Sequence, residues 1–566
     1  MVYNRLLLLP VVLLGLVSQI GAQSPPPDGY VNPLDIPLVL AGTFGELRSG
    51  HFHAGIDIKT ERREGLPVYS IQDGTVTRIK VALGGYGKAL YIAHPDGKTS
   101  VYAHLAKFGD EIEAYVKGEQ YRKKSYEIQL FPEFGRLTVQ KGQLIAYSGN
   151  TGSSSGPHLH FEIRNSVTEH PLNPLQYKFP VKDNYPPEIQ GAFVYPLDEV
   201  SSANGSFERS QLNVYHQSNY NFVADTVEAL GRIGIGFIGF DRQDLAANKN
   251  GIYSVELEVD GITYTRQDFD EFSFGESSQI NTLIDYEYYE RYRRRIHKCF
   301  RDDGNQLSLF RTLKGDGTID VQEGRTYQAR ILLRDHHGNR SQLLVPIVGR
   351  KNVNPSERKA VYRGTWISRD KPYQFEWERG GVFFPRGTFY RDVSLDVAWN
   401  GNVLQVHRDL IPARKRFNIS MKIPDSLQPY RPQLYIARKD DRGGWRYQST
   451  YLNGDLLSTK TKTLGAYRIM MDTIPPEIRP LNFDDGARLR NYAYLKVRIS
   501  DDSSGIDTYN AWVNGKWILM EYESKKSLLT YSFEDGVVPR GKADIKIVVT
   551  DHAGNQQTYR GTCTVQ

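Results

Sequence analysis

Residues 156–162 read GPHLHFE, and the run LHFEIR (159–164) alternates apolar with polar side chains. A period of two marks a half-buried strand. On a strand, His158 and His160 project to the same face. Two earlier segments carry comparable chemistry. HFHAGID (51–57) holds His53 and Asp57, and SVYAHL (100–105) is a second alternating run that places Tyr102 and His104 on one face. Gly55, between His53 and Asp57, permits unusual backbone angles and a close approach of the chain.

Together these segments supply three candidate metal ligands and two further imidazoles. That inventory suits a hydrolytic zinc site, which needs three protein ligands and one position open to water. Zinc is held well by imidazole nitrogen and carboxylate oxygen. It lowers the pKa of a bound water to about 7 and polarises a carbonyl. In the HLH pair one imidazole binds the ion and the other stands beside the open position. A neighbouring imidazole can take the water's proton or stabilise an oxyanion, and later protonate a leaving amine. No HExxH sequence occurs, so a glutamate base of that arrangement is absent.

The order HxxxD, YAHL, GNTGSSSGPHLHFE (149–162) resembles the lysostaphin-type (LytM-like) zinc metallopeptidase family. GLPVYSIQDGTV (65–76), GGYGKALYIAHPDG (84–97) and KGQLIAYSGNTG (141–152) match its glycine-punctuated strands in order, and the likeness covers roughly residues 35–180. The resemblance implies His53, Asp57 and His160 as ligands of one zinc ion. It implies His104 and His158 as a catalytic pair, with their individual roles left open. The family cleaves peptide bonds in peptidoglycan stem or bridge peptides. Relatives that have lost ligands serve only to activate other cell-wall hydrolases, whereas all five positions are kept here. Two departures stand out. His51 could share the face of His53, as an alternative ligand or part of a groove wall. Residues 107–137 form an insertion, with a short helix expected in GDEIEAYVKGEQYRKKS and an extended return in FPEFGRL; it is read as a groove wall. Other positions take plainer readings. Tyr102 is a packing residue, Glu162 orients a ligand or simply belongs to the strand, and His94, His170, His216 and His297 are surface or satisfied core residues.

The N-terminal stretch MVYNRLLLLPVVLLGLVSQIGAQ has one arginine, an apolar run from Leu6 to Val17, and small residues Gly21 and Ala22. It reads as a secretory signal over 1–22, the apolar run being too short to span a membrane. No later segment has 18 consecutive apolar residues, so the mature chain is expected to be exported, without a transmembrane segment, to the periplasm or cell envelope. At 566 residues, three or four domains are expected. Net charge is a mild +6, with tyrosine abundant at 36. The arginine–tyrosine cluster YYERYRRRIHK (288–298) reads as a solvated helix face rather than a nucleic-acid site. Cys299 and Cys563 are the only cysteines and are expected as unpaired or buried thiols.

Beyond the site an internal repeat is visible. DNYPPEI (183–189) matches DTIPPEI (472–478), GIYSVELEVDG (251–261) resembles GIDTYNAWVNG (505–515), and ARILLRDHHGNRSQ (329–342) resembles DIKIVVTDHAGNQQ (544–557). Three elements in the same order make a true repeat. Each copy begins with a proline pair and ends in a strand and an Asp-His-x-Gly-Asn turn, resembling bacterial immunoglobulin-like β-sandwiches. The DHxGN histidines (His336, His337, His552) read as turn residues, and calcium at Asp335 or Asp551 lacks an EF-hand pattern. The expected plan is all-β: a LytM-like peptidase domain (23–182), an immunoglobulin-like sandwich (183–350) with an insertion at 262–326 containing a helix in INTLIDYEYYERYRRR, a β-rich module of unread role (351–471), and a second immunoglobulin-like sandwich (472–566). The expected function is an exported zinc metalloendopeptidase acting on peptidoglycan peptides, with an envelope protein as a further partner of the β-modules. The competing reading is a non-catalytic or self-occluded peptidoglycan-binding regulator, or an envelope scaffold.

Overall fold

Alternating apolar residues in the first third of the chain assemble a nine-stranded sheet. The structure is a computed structural model and describes residues 29–351, 364–489 and 493–565. The expected leader, 1–22, lies outside them. The protein is all-β, with a single α-helix longer than seven residues among the described residues, Asp110–Lys123. None of the described helices is long and apolar enough to cross a membrane.

The main path of the first sheet runs Leu40–Gly42, Ile56–Lys59, His158–Asn165, Lys98–Ala103, Ala89–Ala93, Gly74–Val81, Ile128–Leu130. All of these neighbours pair antiparallel. A three-stranded sheet, Pro67–Tyr69, Leu144–Tyr147 and Lys107–Phe108, shares the same core. Ile56, Ile58, Tyr102, Phe108, Leu159 and Phe161 are buried there, and fully burying each stabilises the fold by about 1.5–3 kcal/mol relative to exposure. The register sets His160 opposite Asp57 on one side and Ala103 on the other.

The expected helix within 107–137 is Asp110–Lys123. Acidic Asp110, Glu111 and Glu113 open it and basic Arg122 and Lys123 close it, which complements the helix dipole. FPEFGRL departs from expectation. Strands Ile128–Leu130 and Thr138–Val139 flank it, and 131–137 is a turn. Lys117 and Tyr121 turn the helix toward Asp535 near the C-terminus.

Three further β-units follow. Strands between Glu188 and Gly349 form a thirteen-stranded sheet. Within it INTLIDYEYYERYRRR breaks into Ile280–Leu283 and Tyr286–Tyr292, because Asp285 takes an extended backbone and its side chain accepts from Tyr288 N. Arg291 pairs with Glu287, while Arg293 pairs with Glu290 and with Asp441 of the next unit. Residues 365–471 carry a two-stranded and two five-stranded sheets, and residues 477–565 a four- and a five-stranded sheet. The repeated segments adopt equivalent pairings. Ser254–Val259, Thr326–Arg334 and Arg340–Gly349 are consecutive neighbours, as are Ile506–Val513, Gly541–Asp551 and Gln556–Val565. Cys299 and Cys563 are buried and unpaired.

The first unit is held from two sides. Phe44, Phe52 and Ala54 pack with Phe269, Phe272, Ile280 and Leu283 of the second unit. Lys88, buried, pairs with Glu521 of the last unit at 2.9 Å, and Tyr121 meets Trp517 edge-on.

Candidate metal centre

Three chain segments converge on one point. Asp57 and His160 are cross-strand partners, so their side chains emerge side by side. His53 precedes the Ile56–Lys59 strand in a tight approach that Gly55 makes possible. A Cβ at Gly55 would lie 2.2 Å from the Phe161 carbonyl oxygen. Close approach, rather than an unusual φ, is therefore what the glycine provides.

His53 Nε2, Asp57 Oδ1 and His160 Nδ1 form a triangle with edges of 3.0, 3.0 and 2.8 Å. The far nitrogen of each imidazole is tied elsewhere. His53 Nδ1 donates to the Thr43 carbonyl at 2.8 Å, and His160 Nε2 donates to Glu162 Oε1 at 2.8 Å. Carbonyl and carboxylate oxygens only accept, so each ring's proton sits on that outer nitrogen. Three lone-pair atoms then face one another across about 3 Å, an arrangement a cation resolves. The residues thus fit a zinc ion: two imidazoles and one carboxylate, each imidazole oriented by an outer hydrogen bond. Glu162 is itself fixed by Arg164 Nε at 2.6 Å and by the Tyr86 hydroxyl. Asp57 Oδ2 accepts from Arg48 at 2.5 Å.

The electrostatics agree. Burial lowers His160, yet hydrogen bonds to Asp57 and Glu162 outweigh it and carry the imidazole up to about 9. Without an ion, a proton would stand in its place. Burial resists ionisation of Asp57, but His53, His158 and His160 hold its carboxyl well below the usual range. Burial also pushes His53 down.

His104 and His158 stand beside the triangle, with ring centroids 4.8 Å apart. His158 Nε2 is 3.4 Å from Asp57 Oδ1. Each turns Nδ1 to a carbonyl, His104 to Thr151 and His158 to Gly156, both at 2.8 Å. Each ring is thereby anchored through Nδ1. Burial, then the neighbouring His160 and His158, lower His104 to about 3. The alternation that placed Tyr102 and His104 on one face breaks. The strand ends at Ala103 and His104 adopts φ 59°, in the left-handed region uncommon for non-glycine residues. Tyr102 stays on the core side against Phe161, its hydroxyl accepting from Ile71 N, while His104 swings toward His158 and His160.

His51 is exposed, bonded to the Ser49 carbonyl, and stands outside the ligand cluster. His94, His170 and His297 have ordinary partners in Ser100, Glu271 and Gln267. Sequence reasoning missed Arg48, Tyr86 and Thr43, whose roles depend on strand pairing. It also missed Lys525, which reaches from the last unit to the carbonyl of Asn150 and, at 2.9 Å, that of Ser154. The loop it grips carries Ser154, whose Oγ is 3.2 Å from His158 Nδ1.

Comparison with known proteins gives two family matches: Peptidase family M23 over residues 51–121 and 136–174, and a Zu5-like domain over 365–472. The DD-carboxypeptidase/endopeptidase Mpg of Neisseria meningitidis is 33% identical over 137 residues, 24% of this chain and 25% of that one. The peptidoglycan DD-endopeptidase ShyA of Vibrio cholerae is 30% identical over 138 residues, 24% of this chain and 26% of that one. Lipoprotein NlpD of Yersinia enterocolitica is 34% identical over 113 residues, 20% of this chain and 90% of that one. The match spans about a quarter of the length of the first two relatives.

Proposed function

The chain belongs to peptidase family M23, and on that premise we propose that it is a zinc metalloendopeptidase hydrolysing peptide bonds of peptidoglycan, acting in the periplasm or cell envelope. The observation that carries the proposal is the triangle of His53 Nε2, Asp57 Oδ1 and His160 Nδ1, whose outer nitrogens are committed elsewhere. These three atoms would hold the ion. When bound, zinc supplies Lewis acidity and lowers the pKa of a coordinated water to about 7.

The remaining steps belong to the chain. His104 and His158, with Nδ1 anchored on carbonyls, present Nε2 to take a proton and return it to the leaving amine. Once protonated, either donates to the oxygen that gains charge. Arg48 offsets the second oxygen of Asp57. The peptide bond as target agrees with the named activities of the Mpg and ShyA relatives.

The test is a mass-spectrometric digest of purified peptidoglycan by zinc-loaded protein, with His158→Ala alongside. New peptide ends from the wild type alone are expected. Equal digestion by the variant would defeat the assignment of His158.

A second reading is favoured by one contact. Lys525 grips the Asn150–Ser154 loop, so the last unit would hold the site closed. The chain would then act as a self-occluded enzyme or as a regulator of another hydrolase.

A further inference from the structure

Away from the histidines, three carboxylates meet at the joint between the first and second units. Asp183 lies in the linker before Pro186 and Pro187, Asp241 follows the strand Val227–Phe240, and Asp335 opens the Asp-His-His-Gly-Asn turn. All three are buried, with one oxygen of each within 4.8 Å of the others. Among the described residues no lysine or arginine pairs with them, and His337 Nδ1 lies 3.8 Å from Asp183 Oδ2.

A cluster of carboxylates alone would say little. Here one oxygen is orphaned: Asp241 is only 3% exposed, yet its Oδ1 has no hydrogen-bond partner. A buried carboxylate without a partner is costly. Two more buried oxygens on the same loop, Gln243 Oε1 and Asn248 Oδ1, are also without partners. Burial, with neighbouring carboxylates, lifts Asp183 to about 7 and Asp241 to about 9.

We propose that Asp183, Asp241 and Asp335 bind a calcium ion that fastens the peptidase unit to the first repeated β-unit. The donors are all oxygen, which suits a hard cation rather than zinc. Three carboxylates offer up to six oxygens, and calcium takes roughly 6–8 in flexible geometry. Magnesium prefers to keep several waters, which a closed site does not favour. The linker placement explains the mechanical consequence. Asp183 belongs to the connecting segment, whereas Asp241 and Asp335 belong to the β-unit, so the ion ties one to the other. His337 Nε2 donating to the Val181 carbonyl and Asn339 Nδ2 donating to the Asp183 carbonyl already brace the same linker.

The second copy of the repeat places Asp472, Asp501 and Asp551 at the corresponding positions. There Ser504 N and Oγ donate to Asp472, and Ser503 N and Gly505 N donate to Asp501. Asn555 braces Asp551 and the Asp472 carbonyl just as Asn339 braces Asp335 and Asp183. That triad has no orphaned side-chain oxygen among the described residues, so the assignment is made for the first.

The experiment uses the full chain with its zinc retained. Calcium binding is measured by titration calorimetry, and the melting temperature is followed with calcium or magnesium at about 5 mM, well above the roughly 0.1–1 mM range of extracellular calcium modules. Calcium is expected to raise the melting temperature by about 5 °C, and Asp241→Asn should bind one ion fewer and lose that rise. In calcium-free buffer Asp241→Asn should melt no lower than wild type, because Asp241 Oδ1 has no hydrogen-bond partner to lose. Asp183→Asn, in the linker, should repeat the loss and covers the case in which Asp241→Asn fails to fold. No calcium uptake by the wild type, an equal effect of magnesium, or unchanged uptake in a folded Asp241→Asn or Asp183→Asn variant would overturn the assignment.

Discussion

At the scale of single residues, the candidate metal centre is built by removing choices from imidazoles. A free histidine can present either nitrogen. Here Thr43, Glu162, Thr151 and Gly156 each take one nitrogen of a different ring, so four rings are fixed in tautomer and orientation. The chain Arg164–Glu162–His160 is buried throughout, and its effect on the metal can be measured. Glu162→Gln should weaken zinc binding about 10–100-fold while the protein stays folded, read by competition with a chromogenic chelator; unchanged affinity would deny Glu162 an orienting role. His160→Ala and Asp57→Ala should each lose the metal by elemental analysis. His104→Ala should keep it and lose about 10²–10⁴-fold in turnover. His53, Asp57, His104, His158 and His160 were legible as a set because their residue types and motifs are local. Arg48 and Tyr86 were not, because an arginine nine residues away or a tyrosine in a loop gains meaning only from what the fold sets beside it.

At the scale of elements, the site is a consequence of strand register. The pairing of Ile56–Lys59 with His158–Asn165 sets Asp57 against His160, and a slip of one residue would turn one of them to the other face. Gly55 permits that pairing. Gly55→Ala would place a methyl 2.2 Å from the Phe161 carbonyl oxygen, and the strands would have to part. A loss of about 1–3 kcal/mol is expected, read as a lower denaturation midpoint, together with weaker zinc binding. A variant as stable as wild type would show that the approach is not tight. Alternation predicted the strand around His158 but misplaced His104, because a periodic rule cannot foresee where a strand stops and one residue turns left-handed. The helix expected around residues 280–295 broke for a similar local reason: Asp285 competes for the backbone as a cap.

At the scale of the whole molecule, the peptidase unit is clamped between two β-units that are separated from each other in sequence. The second unit covers Phe44 and Phe52, and the last unit reaches the loop beside His158 through Lys525. If that contact restrains the loop, Lys525→Ala should raise the rate of peptidoglycan cleavage several-fold with zinc content unchanged. An unaltered rate would remove the self-occlusion reading. The interface also contains Lys88, whose ammonium is buried against Glu521. Glu521→Gln should cost about 1–3 kcal/mol at that junction, below the full cost of an unpaired buried charge because Glu521 is partly exposed. Limited proteolysis should then release the last unit faster.

The sequence by itself determined the candidate ligand inventory, the β character of the chain and the existence of a repeat, because these reside in residue type, a period of two and recurring order. The tertiary structure alone decided which atoms of His53, Asp57 and His160 face one another, that the helix of the 107–137 segment meets the last unit, and that Asp183, Asp241 and Asp335 share one buried point. The physical reason is separation along the chain. Contacts between residues tens to hundreds of positions apart follow from register and from packing between units, and neither is written in any local stretch of sequence.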